Sequence, residues 1–112
     1  MTSKEDFCLE QVRLLQAGDV DTLIDEHYTE DAELIRFETT IKGAPALKEY
    51  FRDYVKMLGN LEVASTDHFM ETDDTVFFDA TVRTNLGEAR VFDCWVMRGG
   101  KISHHFSGVY PS

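Results

Sequence analysis

Near residue 60 the chain changes period. Before it, apolar residues recur at helical spacing; after it come four extended segments separated by turn residues. The segments are LEVASTDHFMET, TVFFDATVRT, EARVFDCWVMR and KISHHFSGVY, with turns at Asp73-Asp74, Asn85-Leu86-Gly87 and Gly99-Gly100. Strands joined by so few residues must be antiparallel neighbours, so this half of the chain forms a four-strand meander.

The first half supplies helices. Phe7, Cys8, Val12 and Leu15 lie close to helical spacing within residues 4–17, and Gly18 ends that helix. Asp19 caps a short second helix with the face Val20, Leu23, Ile24 and His27, ending near Tyr28. AELIRFETTIKG is a short strand bending into a second extended piece, closed by Gly43. The third helix is APALKEYFRDYVKML, with Pro45 in its first turn and Leu47, Tyr50, Phe51, Tyr54, Val55 and Leu58 in one stripe. Helices followed by a long sheet define an α+β arrangement in which the helices cover one sheet face. The 112 residues contain no repeat or linker and are read as one domain, residues 1–112. A chain of this size buries roughly two-thirds of the surface its unfolded form exposes.

Eleven Lys and Arg against twenty-one Asp and Glu give a formal charge of −10. With the basic residues scattered, that charge argues against nucleic acid and anionic membranes as partners. No stretch is long and apolar enough to span a bilayer, and the N-terminus lacks a signal-peptide h-region. Cys8 and Cys94, widely spaced, form neither a disulfide framework nor a metal knuckle. The expectation is a cytoplasmic protein with reduced thiols, and no motif calls for a cofactor.

Side-chain alternation nominates a site. If Gly99-Gly100 is a two-residue hairpin loop, Trp95 pairs with His104 and Asp93 with Phe106. One face then carries Val91, Asp93, Trp95, Met97, Ile102, His104 and Phe106, joined by Phe78, Ala80 and Val82. Nearly all apolar, this face should look toward the helices. The other face collects Phe77, Asp79, Arg83, Arg90, Phe92, Cys94, His105 and Ser107. A single bulge would exchange His104 and His105. As strand neighbours the two histidines point to opposite faces and cannot chelate one metal, so no metal site is expected.

Three motifs carry a family resemblance. GDVDTLIDEHYTEDAEL resembles the N-terminal signature of the nuclear transport factor 2-like superfamily, in particular its SnoaL-like branch. IKGAPALKEYF resembles the glycine before that family's third helix, and GGKISHHF its turn into the last strand. The resemblance covers nearly the whole chain in the right order. It implies a cone-shaped, cystatin-like α+β barrel: three N-terminal helices on a strongly curved, mainly antiparallel sheet, with a pocket at the open end. Members include ketosteroid isomerases, polyketide cyclases, epoxide hydrolases, dehydratases and inert binding modules, so the fold does not choose the function. It also implies a homodimer through the outer sheet face.

Asp93 is the telling residue. A carboxylate on an apolar face must be paired, hydrogen-bonded or protonated. By its place before CWVM it resembles the protonated oxyanion-hole aspartate of ketosteroid isomerases. The rest of that machinery does not carry over, since the base position aligns with Arg36 and the tyrosine position with Gln11. The acidic residue of SnoaL-type cyclases aligns with Ser107, and Asp79, Arg83 and Asp93 supply the residue types of an epoxide hydrolase without a shared face. The expected catalytic pair is Asp93, donating to a substrate oxygen, and His104, shuttling a proton. Arg36 either anchors a ligand carboxylate or neutralises Asp93. Trp95, Tyr54, Tyr28, Phe51 and Met97 are expected around a small apolar or carbonyl-bearing ligand. The alternative is a non-catalytic dimeric module that binds a ligand or serves assembly.

Overall fold

The computed structural model describes residues 3–111. Helix α1 spans Lys4–Ala17, opened by Ser3, whose Oγ accepts from the Asp6 N–H at 3.1 Å, and closed at Gly18 in the left-handed conformation. Helix α2, Val20–His27, is capped by the Asp19 carboxylate, which accepts from the Thr22 N–H. Strands β1 (Tyr28–Ile35) and β2 (Thr40–Lys42) precede α3 (Ala44–Leu58), which has Pro45 in its first turn. The meander follows as β3 (Leu61–Glu71), β4 (Thr75–Thr84), β5 (Gly87–Arg98) and β6 (Lys101–Val109). The helices and all four hairpin strands thus fall where periodicity and turn residues put them.

The six strands form one mixed sheet in the order β2-β1-β6-β5-β4-β3, with β1 parallel to β6 and every other pair antiparallel. Three helices packed on it make an α+β fold. The core lies between them: Leu23 and Ile24 of α2 and Leu47 of α3 are sealed with Leu34, Val76, Ala80 and Ile102 of the sheet. Burying such side chains is the main favourable term, roughly 1.5–3 kcal/mol each.

One register differs from regular alternation. Gly99 and Gly100, both at positive φ, form the tight hairpin, with Arg98 opposite Lys101 and Met97 opposite Ile102. The next partner of Val96 is His104, so Ser103 is an extra residue, and its hydroxyl donates to the Val96 carbonyl at 3.2 Å. Ile102 and His105 are three apart and would take opposite faces of a regular strand; the bulge turns both inward, to 0 % and 5 % exposure. Trp95 therefore faces His105 and Asp93 faces Ser107. His104 and Phe106, expected inside, point outward, while His105 and Ser107, expected outside, point in.

Candidate functional site

Asp93 sits mid-strand in β5, between Phe78 of β4 and Ser107 of β6. Its Oδ1 lies 2.7 Å from His105 Nε2, and His105 Nδ1 lies 2.9 Å from the Tyr28 hydroxyl, at the junction of α2 and β1. The imidazole lies nearly parallel to the Phe51 ring of α3, with centroids 6.4 Å apart, and 5.1 Å from the Trp95 ring. Its orientation is fixed by packing as well as by hydrogen bonds.

Hydrogen-bond accounting assigns the protons in this chain. Tyr28 is 4 % exposed, and burial, with the charge of Asp93 adding to it, pushes its phenol well above the ordinary tyrosine range. The hydroxyl keeps its proton, and His105 Nδ1 is the acceptor it reaches among the described residues. In a neutral imidazole the proton is then on Nε2, which donates to Asp93. In that arrangement Asp93 Oδ1 accepts from the His105 Nε2–H. A protonated Asp93 donating to Nε2 would leave the Tyr28 proton without an acceptor.

Asp93, His105 and Ser107 line a cavity of about 310 Å³, roofed by Phe51 and Tyr54 of α3 and walled by apolar side chains such as Leu34 and Val91. That volume is at the small end for ligand pockets. Asp93 Oδ2 makes no hydrogen bond among the described residues, and 24 % of the side chain is exposed. Arg36, just past the end of β1, enters the same cavity. Its Nη1 donates to Ser107 Oγ at 3.2 Å, its guanidinium lies 5.7 Å from the Tyr54 ring centre, and its buried Nε has no hydrogen-bond acceptor among the described residues. The Glu38 carboxylate, 3.7 Å away, is mostly in solvent. Burial raises the Tyr54 phenol and Asp93 raises it further, while Arg36 opposes both.

The residues singled out from the sequence thus separate. Asp93, Arg36, Tyr54 and Phe51 meet in the cavity. Tyr28 and Trp95 stand behind His105 and support it rather than touch the cavity. Met97 borders a different depression beside Phe7, Gly99 and Gly100. His104 is on the far face, 3.4 Å from Glu33, because of the Ser103 bulge. Asp93 takes His105 as its partner, and no Arg36–Asp93 ion pair forms among the described residues. On the outer face Asp79 accepts from Tyr110 and pairs with His68, and Arg83 pairs with Glu62 and Glu88; Asp79 and Arg83 do not line the cavity, whereas Glu88 lies at its edge. His105 and Ser107, placed on the outer face by regular alternation, line the cavity; the single bulge that would exchange His104 and His105 is present, at the small polar Ser103.

Helices on one face of a mixed sheet, enclosing a cavity with a carboxylate–imidazole pair in its wall, define a pocket-bearing α+β protein. The profile of the SnoaL-like domain matches residues 9–105, and the chain belongs to that family. A search of curated proteins finds no significant match. Among solved structures it is similar to an NTF2-like protein of unknown function from Cytophaga hutchinsonii, at 11% identity and TM-score 0.79 over 99% of this chain and 93% of the other. An uncharacterized cystatin-fold protein from Novosphingobium aromaticivorans shares 14% identity at TM-score 0.75, over 88% and 91%. TerC, co-crystallized with polyporic acid, shares 21% identity at TM-score 0.67, over 91% and 90%. Likeness at these identities shows the common fold. No helix among the described residues is long and apolar enough to cross a membrane.

Proposed function

We propose that the protein binds a small, largely apolar, carbonyl-bearing molecule in this cavity and moves a proton on it, with Asp93 as the base. The observation that carries the reading is the ordered chain Tyr28–His105–Asp93, which leaves a carboxylate oxygen free in an apolar cavity. Asp93 Oδ2 takes a proton from the carbon beside the carbonyl; the C–H electron pair becomes a carbon–carbon double bond to the carbonyl carbon, and the carbonyl π pair moves onto oxygen to give an enolate. The Arg36 Nε–H, which makes no hydrogen bond among the described residues, is suited to that oxygen as a charge-assisted donor, with the mostly exposed Glu38 carboxylate 3.7 Å away as its ionic partner. The carboxylic acid so formed returns the proton to the same or a conjugated carbon, and Asp93 is regenerated. His105 donates to Asp93 throughout, and Tyr28 holds the imidazole in the tautomer that can do so. In this reading the proton-shuttling part expected of His104 falls to Asp93, in place of the donor part expected of Asp93, and His105 orients the carboxylate by a hydrogen bond.

The test is deuterium exchange into β-tetralone, a bicyclic ketone, followed by proton NMR in D₂O. Wild-type protein should exchange the carbon-bound protons beside the carbonyl faster than buffer, and Asp93→Asn should lose about 10²–10⁴-fold of that rate. Calorimetric titration with polyporic acid, taken from the TerC structure, and with β-tetralone measures binding separately from chemistry. Binding without exchange would favour a storage or sensing role; neither binding nor exchange would remove the cavity reading.

The second reading, a dimeric module, draws on the outer sheet face. Phe37 and Phe106 are 76 % and 41 % exposed there, beside the stacked Phe77 and Phe92. We propose that a second copy of the chain covers this face, with or without catalysis in the cavity.

A further inference from the structure

Arg36, the cavity's cation, is followed in the chain by a residue packed on the opposite side of the sheet. Past the end of β1 the chain continues beside β6, turning back where the Arg36 N–H donates to the Thr39 carbonyl at 2.8 Å. Arg36 and Phe37 are adjacent in this turn and point to opposite sides: Arg36 inward to Ser107, Phe37 outward over Gly108 and Phe92. The fit over Gly108 is close. A Cβ added there would come 2.8 Å from Phe37 Cε2 and 2.7 Å from Phe92 Cε1, closer than packed carbon atoms approach. Phe37 and Phe92 ring centres are 5.8 Å apart, within the range of aromatic pairs.

Phe37 is 76 % exposed, so core burial does not explain its placement. Arg36, by contrast, is a side chain of several rotatable bonds held by one hydrogen bond to Ser107, the Tyr54 ring and the Glu38 carboxylate at 3.7 Å. Whether those contacts can form depends on where its backbone is held. That backbone is pinned by the Thr39 hydrogen bond and by the neighbouring ring in its seat.

We propose that Phe37, seated on Gly108 and Phe92, is a positioning residue for Arg36 and so tunes the cavity for ligands that carry an anionic oxygen. The seat acts from outside the cavity and touches no ligand. The proposal rests on the reading of the cavity as a ligand site, but its structural half can be measured without any ligand.

The experiment compares wild type, Phe37→Ala and Gly108→Ala by two readouts. The first is the ¹H–¹⁵N resonance of the Arg36 Nε–H, assigned by its loss in Arg36→Lys. It should shift or broaden in Phe37→Ala while the Arg83 Nε–H signal stays in place; an unmoved Arg36 signal overturns the proposal. The second is calorimetric binding of polyporic acid and of neutral β-tetralone. Phe37→Ala should weaken polyporic acid at least tenfold and β-tetralone less than twofold; equal weakening of both would mean general loss of structure and overturn the positioning role. Gly108→Ala should reproduce the same split, and if it fails to fold, Phe37→Ala decides alone. Should wild type bind neither compound, the ligand-site reading fails while the resonance still judges the seat.

Discussion

Tyr28 shows how much rests on single polar groups in a closed site. Removing its hydroxyl in Tyr28→Phe leaves His105 Nδ1 buried without a partner, which should cost about 1–3 kcal/mol. Urea unfolding would report this as a lower midpoint at unchanged m-value. Cys8 makes a second residue-level prediction. Its thiol, 2 % exposed, is pushed up from 9.0 to about 12, first by burial and then by the negative charge of Asp93. Because the folded thiol holds its proton more tightly than the unfolded one, its contribution is fully present below pH 9 and is lost as pH rises through about 12. The pH dependence of unfolding free energy should therefore slope downward over that window, and less steeply in Cys8→Ala. At this scale the sequence was partly legible. An aspartate on an apolar strand face is visible as an anomaly, but its partner is not, because His105 and Asp93 meet only through the strand pairing.

At the level of elements, legibility follows the range of the interaction. The three helices and the hairpins are written in local signals: the stripe of α3, the caps of α1 and α2, and the paired glycines before β6. The parallel pairing of β1 with β6 and the Ser103 bulge are not, since both are settled by which side chains the core accepts. The bulge exchanged one histidine for the other, and the site assignment went with it. Helix α3 is where fold and cavity share a part: Leu47 is sealed in the core while Phe51 and Tyr54, one and two turns on, roof the cavity. Leu47→Ala should destabilise the protein by about 2–5 kcal/mol through the void it leaves. Thermal and urea unfolding measure that cost, and the same variant should bind polyporic acid more weakly because the roof is less firmly held.

For the molecule as a whole, the aromatic outer face predicts association. Sedimentation equilibrium should show a dimer, and Phe106→Glu, which places a charge among Phe77, Phe92 and Phe37, should give monomers without loss of the cavity. A persistent wild-type monomer would leave that face without the second copy proposed for it. The formal charge of −10 bears on the cavity too. Among the described residues lining it, Arg36 is the one Lys or Arg, set in a molecule whose exterior field repels anions. An acidic ligand would therefore be slowed on approach and held once inside, a kinetic asymmetry that dissolved ions modulate. Raising ionic strength shortens the reach of the exterior field, to about 8 Å at 0.15 M, while leaving the enclosed guanidinium far less screened. Arrival should speed up with salt and departure should barely change.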